Sequence, residues 1–565
     1  MQKQIAAVAI VVALAFLAIF GRLFGMQILN REEYVLAAEQ TQVHEWKLRA
    51  TRGLIYWRDG NTSVPAVLNE QIYLVFVDYA MVEDETETRQ IIQQALGSEA
   101  AAKFDEAMTA KKSRYAILGR NISRDKAEEV KAANLAGIGF EESTKRVYPE
   151  GELGSRILGF VNSEGLGQYG VEGAFNQPLT GKDGLRKAVT DLRKVPLSVG
   201  RDDTLAPAEN GVDLRLTIDR NLQAMAEAKA KKWAVNFGAE FVDIIIYNAG
   251  NGEILAMSSK DGYDPANYGD YGLSRFTNPV LSDAYEPASV MKVVTMAAAL
   301  DLGVLKPTDL YINHRGLHID GLWVQNMTDR AAGATQTFQE AIDWSFNVGS
   351  IAMLERIGGG SLNQEGRQKL YDFQRKLGLG ANTGIELPDA AGLVNSPSMS
   401  YAPNHCYALM TFGQCESMSM LQYAVAFGSI INNGTRYRPT VVQGKGGEVA
   451  EANTVREDTS REMREVLHHA LNLYQLSRVD PFFNTRYCGG KTGTAQVPDP
   501  AGGYYHDRQT GTYFGWCMSN ADDTPSLVVG VRYGGEGVIG GGSDAKYIWD
   551  DLMRDVVPYS EGVIY

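Results

Sequence analysis

The chain is 565 residues long, 44% hydrophobic and 22% charged, which is ordinary globular usage and enough for roughly two to four domains. Its 54 basic and 68 acidic residues leave a formal net charge of −14, which excludes a general nucleic-acid binder with a basic face or tail. The four cysteines, Cys406, Cys415, Cys488 and Cys517, show no CxxC spacing, and the adjacent His468-His469 adds no ligand geometry. Neither a metal nor another cofactor is expected, while an exported chain would be free to form disulfides.

From Ile5 to Gly21 the chain is uncharged and almost wholly apolar, and apolar residues continue past Arg22. About 20 such residues span a bilayer core, and no small-x-small cleavage site follows closely, so a membrane anchor within residues 1–30 is preferred to a cleaved signal peptide. Lys3 lies on the short side, which places the body of the chain outside the cytoplasm by the positive-inside tendency. Residues 31–211 form a patchwork of short elements, such as the helical ETETRQIIQQAL, and end in a turn-rich linker over 195–211. From residue 212 the pattern changes. DLRLTID alternates as a strand, NLQAMAEAKAKKWAV has helical spacing, and FVDIIIYNAGNGEILAM reads as a hairpin. With SLVVGVRY as a last strand and DAKYIWDDLMRDVV as a helix lying on it, residues 212–565 predict an antiparallel sheet flanked by helices.

Three short motifs carry chemistry. In EPASVMKVVTMAAAL, Ser289 and Lys292 are three apart at the start of a helix, on one face. A serine hydroxyl needs a neighbouring base, and a lysine serves as one when burial lowers its pKa. In DWSFNVGS, Ser345 and Asn347 offer a hydroxyl and an amide to one cleft if the segment is extended or looped. In CGGKTGTAQ, Lys491 supplies positive charge, Thr492 and Thr494 share one strand face, and Gly493 lets a ligand backbone approach. A phosphate-binding P-loop is disfavoured there, because Thr485 stands where the first glycine is needed and Thr-Gly-Thr-Ala does not open a helix. An S-x-x-K match is expected by chance about once or twice in such a chain, but K-T-G only about one time in ten, so the ordered set outweighs its parts.

S-x-x-K, then S-x-N, then K-T-G resembles the active-site triplet of the serine penicillin-recognising enzymes, and the whole chain is similar to a class B penicillin-binding protein. RATRGLIYWRDGN (49–61) and the stretch from YPEGELGSRILGF to NQPLTGKDG (148–184) resemble that family's pedestal motifs. The resemblance implies an α+β multidomain fold: an anchor (1–30), an elongated pedestal of the dimerisation type with its linker (31–211), and a transpeptidase domain related to serine β-lactamases (212–565). It implies a single-pass protein of the bacterial cytoplasmic membrane whose outer domain cross-links peptidoglycan by D,D-transpeptidation and is inhibited by β-lactams. Ser289 would be the nucleophile on the penultimate D-Ala carbonyl and Lys292 the general base. Ser345 and Lys491 would relay a proton to the departing D-Ala, and Asn347 would bind the substrate amide. Thr492, Gly493 and Thr494 would hold the substrate strand and its terminal carboxylate, with the backbone N–H groups of Ser289 and Thr494 as oxyanion hole.

The same resemblance implies a multi-pass membrane glycosyltransferase as partner, since no polymerase block is apparent in the first 200 residues. Ala288 stands where a glycine is common, and Cys415 is unusual in its helical segment. A Cys488–Cys517 bridge between neighbouring strands would brace the site wall. His506 and Asp507, in a Gly/Tyr-rich stretch, are read as loop residues without a catalytic role. The competing functions are a D,D-carboxypeptidase or β-lactamase hydrolysing the same acyl-enzyme, a β-lactam receptor that stays acylated and signals, and a scaffold with a dead site. The two pedestal motifs count against the hydrolases, the single apolar helix against the receptor, and the three intact motifs against the scaffold.

Overall fold

Helix α1 (Gln2–Phe24) holds the apolar N-terminal run. Its 23 residues extend about 35 Å at 1.5 Å per residue, enough for a bilayer's hydrocarbon core, and its side chains are exposed along its length. The structure, a computed structural model, describes residues 2–31, 43–111, 114–189, 204–475, 480–498, 504–520 and 523–563. Residues 195–203 of the expected 195–211 linker lie outside the described residues.

The chain divides into two compact units that interleave in sequence. The first comprises residues 1–53, 71–145 and 177–212. Within it Val43–Leu48, Gly184–Val189 and Thr204–Ala206 form a three-stranded antiparallel sheet. The expected helix over ETETRQIIQQAL is present as Glu85–Leu96, started by Asp84, whose carboxylate accepts the N–H of Glu87. Its Ile92 packs with Phe104, Leu118, Val130, Val75 and Val77 in a small core.

The second unit takes residues 54–70 and 146–176 together with 213–565. The two stretches resembling pedestal motifs therefore fold largely with the C-terminal part of the chain. Ile55–Asp59 lies parallel to Leu214–Asp219, and Arg58 pairs with Glu253 at 2.9 Å. Arg146 donates to Glu172 at 2.7 Å and to Asn69 at 2.7 Å, with Glu172 wholly buried. A charge so deep depends on the groups that pair with it.

The central sheet is built from β1 (Phe241–Asn248), β2 (Ile254–Ser259), β3 (Tyr487–Pro498), β4 (Tyr504–Met518) and β5 (Leu527–Glu536). Its order is β2-β1-β5-β4-β3, antiparallel throughout, so β3 is an edge strand. The expected hairpin is β1–β2, closed by a turn in which Gly252 adopts φ +84°. Helices in chain order are α2 (Arg220–Phe237), α3 (Met291–Asp301), α4 (Phe338–Asp343), α5 (Asn347–Ile357), α6 (Met420–Ile431), α7 (Glu457–Gln475) and α8 (Gly541–Val563).

Both sheet faces are covered, which is why FVDIIIYN reads as nearly continuous apolar sequence. Val242, Ile244 and Ile246 join Leu222 and Ala226 of α2 and Ile548, Trp549 and Leu552 of α8 in one core. On the other face Phe514 and Trp516 meet Tyr423 and Phe427 of α6. His506 and Asp507 are not in a loop: both lie exposed near the start of β4. The strand register explains this, since the β3–β4 ladder runs out to Pro498 opposite Tyr504.

Replacing Glu172 by Ala leaves the Arg146 guanidinium buried without its carboxylate. The second unit is expected to lose about 3–5 kcal/mol of stability, read as a lowered urea midpoint.

Candidate active site

Ser289 sits half-buried on a 3₁₀ turn, Ala288–Val290, that runs directly into α3. Every residue of α3 from Met291 to Leu300 is buried, so this helix is apolar on all sides and lies in the interior of its unit. Its first turn is fixed from several directions. Ala288 N donates to Gly413 O at 3.1 Å, Tyr423 OH to Val290 O at 2.6 Å, and Thr512 Oγ1 to Pro287 O at 3.3 Å. Ala288 has φ +61°, a left-handed conformation costing a non-glycine residue about 1–2 kcal/mol, and this explains why a glycine would suit the position. Gly413 is required on the other side, because a Cβ there would lie 2.2 Å from Ala288 O.

Lys292, three residues on, is completely buried. Its Nζ donates to Ser345 Oγ at 3.1 Å, to Asn347 Oδ1 at 2.8 Å, and to the Ser345 carbonyl. Burial, and secondarily the charge of Lys491, push this amine well below the ordinary lysine range. Ser345 reaches the cluster from the short connection between α4 and α5, where it too is left-handed, with φ +59°. Asn347 opens α5, and its Nδ2 donates to Gln325 O at 2.9 Å. The two residues of S-x-N thus converge on one lysine, as their spacing predicts.

Lys491 comes from edge strand β3. Its Nζ donates to the same Ser345 Oγ, at 3.1 Å, and to Thr492 O at 3.2 Å. Burial brings its pKa down to about 8, against the raising influence of Asp343. Ser345 Oγ accepts from both lysines, which leaves its own proton free to be directed elsewhere.

Thr492 and Thr494 lie beside the start of α8, and Lys491 Nζ curls back to within 3.4 Å of Thr492 Oγ1. Thr494 Oγ1 accepts the N–H of Gly542 at 2.8 Å. Gly493 has a packing role as well. A Cβ there would meet Thr512 Oγ1 at 2.3 Å, Pro287 O at 2.8 Å and Val290 Cγ1 at 3.2 Å. Protein occupies that space, so the glycine lets β3 run against the turn carrying Ser289.

Cys488 and Cys517 stand directly opposite one another on β3 and β4 and are bridged. Cys406 and Cys415 form a second bridge, which sequence spacing did not point to. It clasps the segment of Gly413, and Cys415 N donates to Glu286 Oε1 at 3.0 Å. His468 bonds the Cys488 carbonyl through Nδ1, and His469 bonds Asp343. Asp343, buried two residues before Ser345, is the polar neighbour of the site that the motifs did not signal.

A family profile described as the penicillin-binding protein transpeptidase domain matches residues 243–554, more than half of the chain. The chain belongs to the penicillin-binding protein family. A second profile, the penicillin-binding protein dimerisation domain, matches 47–216, and the pairing is that of class B penicillin-binding proteins. Stage V sporulation protein D of Bacillus subtilis is 30% identical over 99% of this chain and 86% of its own length. A probable peptidoglycan D,D-transpeptidase, PbpC, of Pseudomonas aeruginosa is 26% identical over 96% and 92%. The fold is that of penicillin-binding protein 2X from Streptococcus thermophilus, with a TM-score of 0.74 at 22% identity over 90% of this chain and 80% of that one.

In this penicillin-binding protein Gly493→Ala is expected to drive the Ser289 turn away from β3. Displacement on the order of 1 Å costs about a hundredfold in a positioned reaction, so acylation by a fluorescent penicillin should slow by about that factor. Stopped-time gel labelling measures it.

Proposed function

We propose that this protein cross-links peptidoglycan by D,D-transpeptidation of D-Ala-D-Ala stem peptides through an acyl-enzyme on Ser289. The observation that carries the reading is the buried cluster in which Lys292 and Lys491 share Ser345 Oγ beside the Ser289 turn. Burial pushes the Lys292 amine well below the ordinary lysine range, the direction a general base requires.

Ser289 Oγ attacks the carbonyl carbon of the penultimate D-Ala as Lys292 Nζ takes its proton. The tetrahedral oxyanion rests on the backbone N–H groups of Ser289 and Thr494, each worth about 10²–10³ in rate. Collapse breaks the peptide C–N bond; Lys491 with Ser345 delivers a proton to the nitrogen of the departing D-Ala and is recharged through Ser345 Oγ by the proton that Lys292 took from Ser289. The amine of a neighbouring stem peptide then attacks the Ser289 ester, forming the new amide and returning the proton to Ser289 Oγ through Lys292. Thr492 and Thr494 donate their hydroxyls to the terminal carboxylate, with Lys491 supplying charge. Asn347, anchored by Lys292 and Gln325, has a second amide proton for the substrate. Gly493 acts through the close seating of β3 as well. β-Lactams present the same carboxylate and a strained amide, and would stop at the acyl-enzyme.

Helix α1 anchors the chain, with Lys3 cytoplasmic, residues 31–211 as pedestal and the transpeptidase domain outside the membrane. A multi-pass membrane glycosyltransferase would supply the glycan strands. Protease treatment of intact spheroplasts checks the orientation, and co-purification in detergent checks the partner.

Fluorescent-penicillin labelling is expected to vanish in Ser289→Ala; labelling that survives sinks the nucleophile assignment. On a donor peptide, an added amine acceptor should convert released D-Ala product into cross-linked product. Hydrolysis alone under both conditions would assign a carboxypeptidase instead.

A further inference from the structure

The two lysines of the site are bound to one serine oxygen, yet the mechanism asks opposite things of them. Lys292 must be free of its proton and Lys491 must keep one. Their own surroundings are alike, since both are almost fully buried and both donate to Ser345 Oγ. An asymmetry has to come from a third group.

Asp343 is that group. It ends α4, two residues before Ser345, and is only 2% exposed. Its Oδ1 accepts from Gln339 Nε2 at 2.8 Å and pairs with His469 Nδ1 at 3.1 Å, from α7. Its Oδ2 is buried and has no hydrogen-bond partner among the described residues. A carboxylate with one oxygen open in the interior is unfavourable unless a nearby cation uses its field. A void of about 10 Å³ behind β3 is lined by Ile342, Ala470, Gly490, Lys491 and Thr492 among others. The residue before Asp343 and the residue after His469 therefore face the same small space as Lys491.

We propose that Asp343 is a positioning residue that holds the proton of the lysine pair on Lys491 rather than Lys292, and so sets which lysine is the acid and which the base. This rests on the transpeptidase reading above. Electrostatics agree with the placement: Asp343 opposes the effect of burial on Lys491, whereas Lys292 is lowered by burial and by Lys491 without a balancing carboxylate. The other charged or titratable groups around Lys491 are few. Lys292 faces it from α3, Tyr513 from β4, and Lys546, already paired with Asp550 at 2.6 Å, from α8. Glu340 of α4 and half-exposed His469 of α7 flank Asp343 itself. The pair titrates as a unit, so the limbs of a rate profile belong to both lysines together.

The test is the second-order rate of acylation by a fluorescent penicillin, measured from pH 5.5 to about 9.5 on the full chain in detergent. Wild type should lose activity above an alkaline limb that belongs to the lysine pair, in the region of pH 8 to which burial brings Lys491. A group whose pKa is held up by an anion loses its proton at lower pH when the anion is removed. In Asp343→Asn the alkaline limb should thus move down by about one unit, lowering the rate at pH 8 about fivefold and at pH 6 far less. Asp343→Glu, which keeps the charge, should restore most of the profile. Should Asp343→Asn fail to fold, Asp343→Ser, with room for water in its place, reads the same limb. An unmoved limb, or a rate that falls equally at every pH and is not restored by Glu, overturns the inference. It does so without touching the nucleophile assignment, which stands or falls on Ser289→Ala.

Discussion

Two amines bound to one hydroxyl oxygen, each 3.1 Å from Ser345 Oγ, cannot both be ammonium ions in a buried site. Around that restriction the rest of the domain is arranged. Lys292 is held well below the ordinary lysine range by the buried helix that carries it, and the turn leading into that helix delivers Ser289. Lys491 is carried by a strand that must pass close to that helix, and close passage is bought with small residues: Gly493 on the strand and Gly413 behind Ala288. A methyl group at either glycine would separate groups that have to exchange protons.

The close packing has a cost in backbone strain. Ala288 and Ser345 are both left-handed, and they bracket the reacting groups from two sides. Such conformations persist where surrounding bonds over-determine them. Here the Ala288–Gly413 backbone bond and the Lys292–Ser345 contacts do so, and the Cys406–Cys415 bridge ties down the segment from which Gly413 comes. The nucleophile turn is thus held before any substrate arrives.

Much of this was legible in the sequence. S-x-x-K is a helix-face spacing, K-T-G an alternating strand, and S-x-N a pair on one connection, and each spacing predicts its local geometry. Strands β1, β2 and β5 and the two covering helices followed from apolar periodicity, whereas β4 was not read as a strand and DLRLTID, expected beside them, lies parallel to Ile55–Asp59 in another sheet. What could not be read depends on residues far apart in the chain. Nothing in DWSFN marks Asp343 as a buried neighbour of the Lys491 site, because that placement comes from α4, α7 and β3 packing together. Gly493 reads as space for a ligand, and only the approach of Pro287 shows its packing role as well. Cys415 was visible as unusual but not as bridged to Cys406, and His506 and Asp507 read as loop because glycines and tyrosines precede them, although ladder bonds continue into β4.

The interleaving of the two compact units bears on how the molecule comes to be made. Ile55–Asp59 waits for Leu214–Asp219, and the Arg146–Glu172 pair belongs to the unit whose sheet ends with β5. A chain made from its N-terminus must therefore hold Ile55–Asp59, already paired with the strand that follows it, without its parallel partner until Leu214–Asp219 has been made. Excision at the apparent boundary near residue 212 would remove a strand and a buried ion pair from the catalytic half. The anchor, by tethering the early segments at one place during that interval, raises their effective concentration for the late ones.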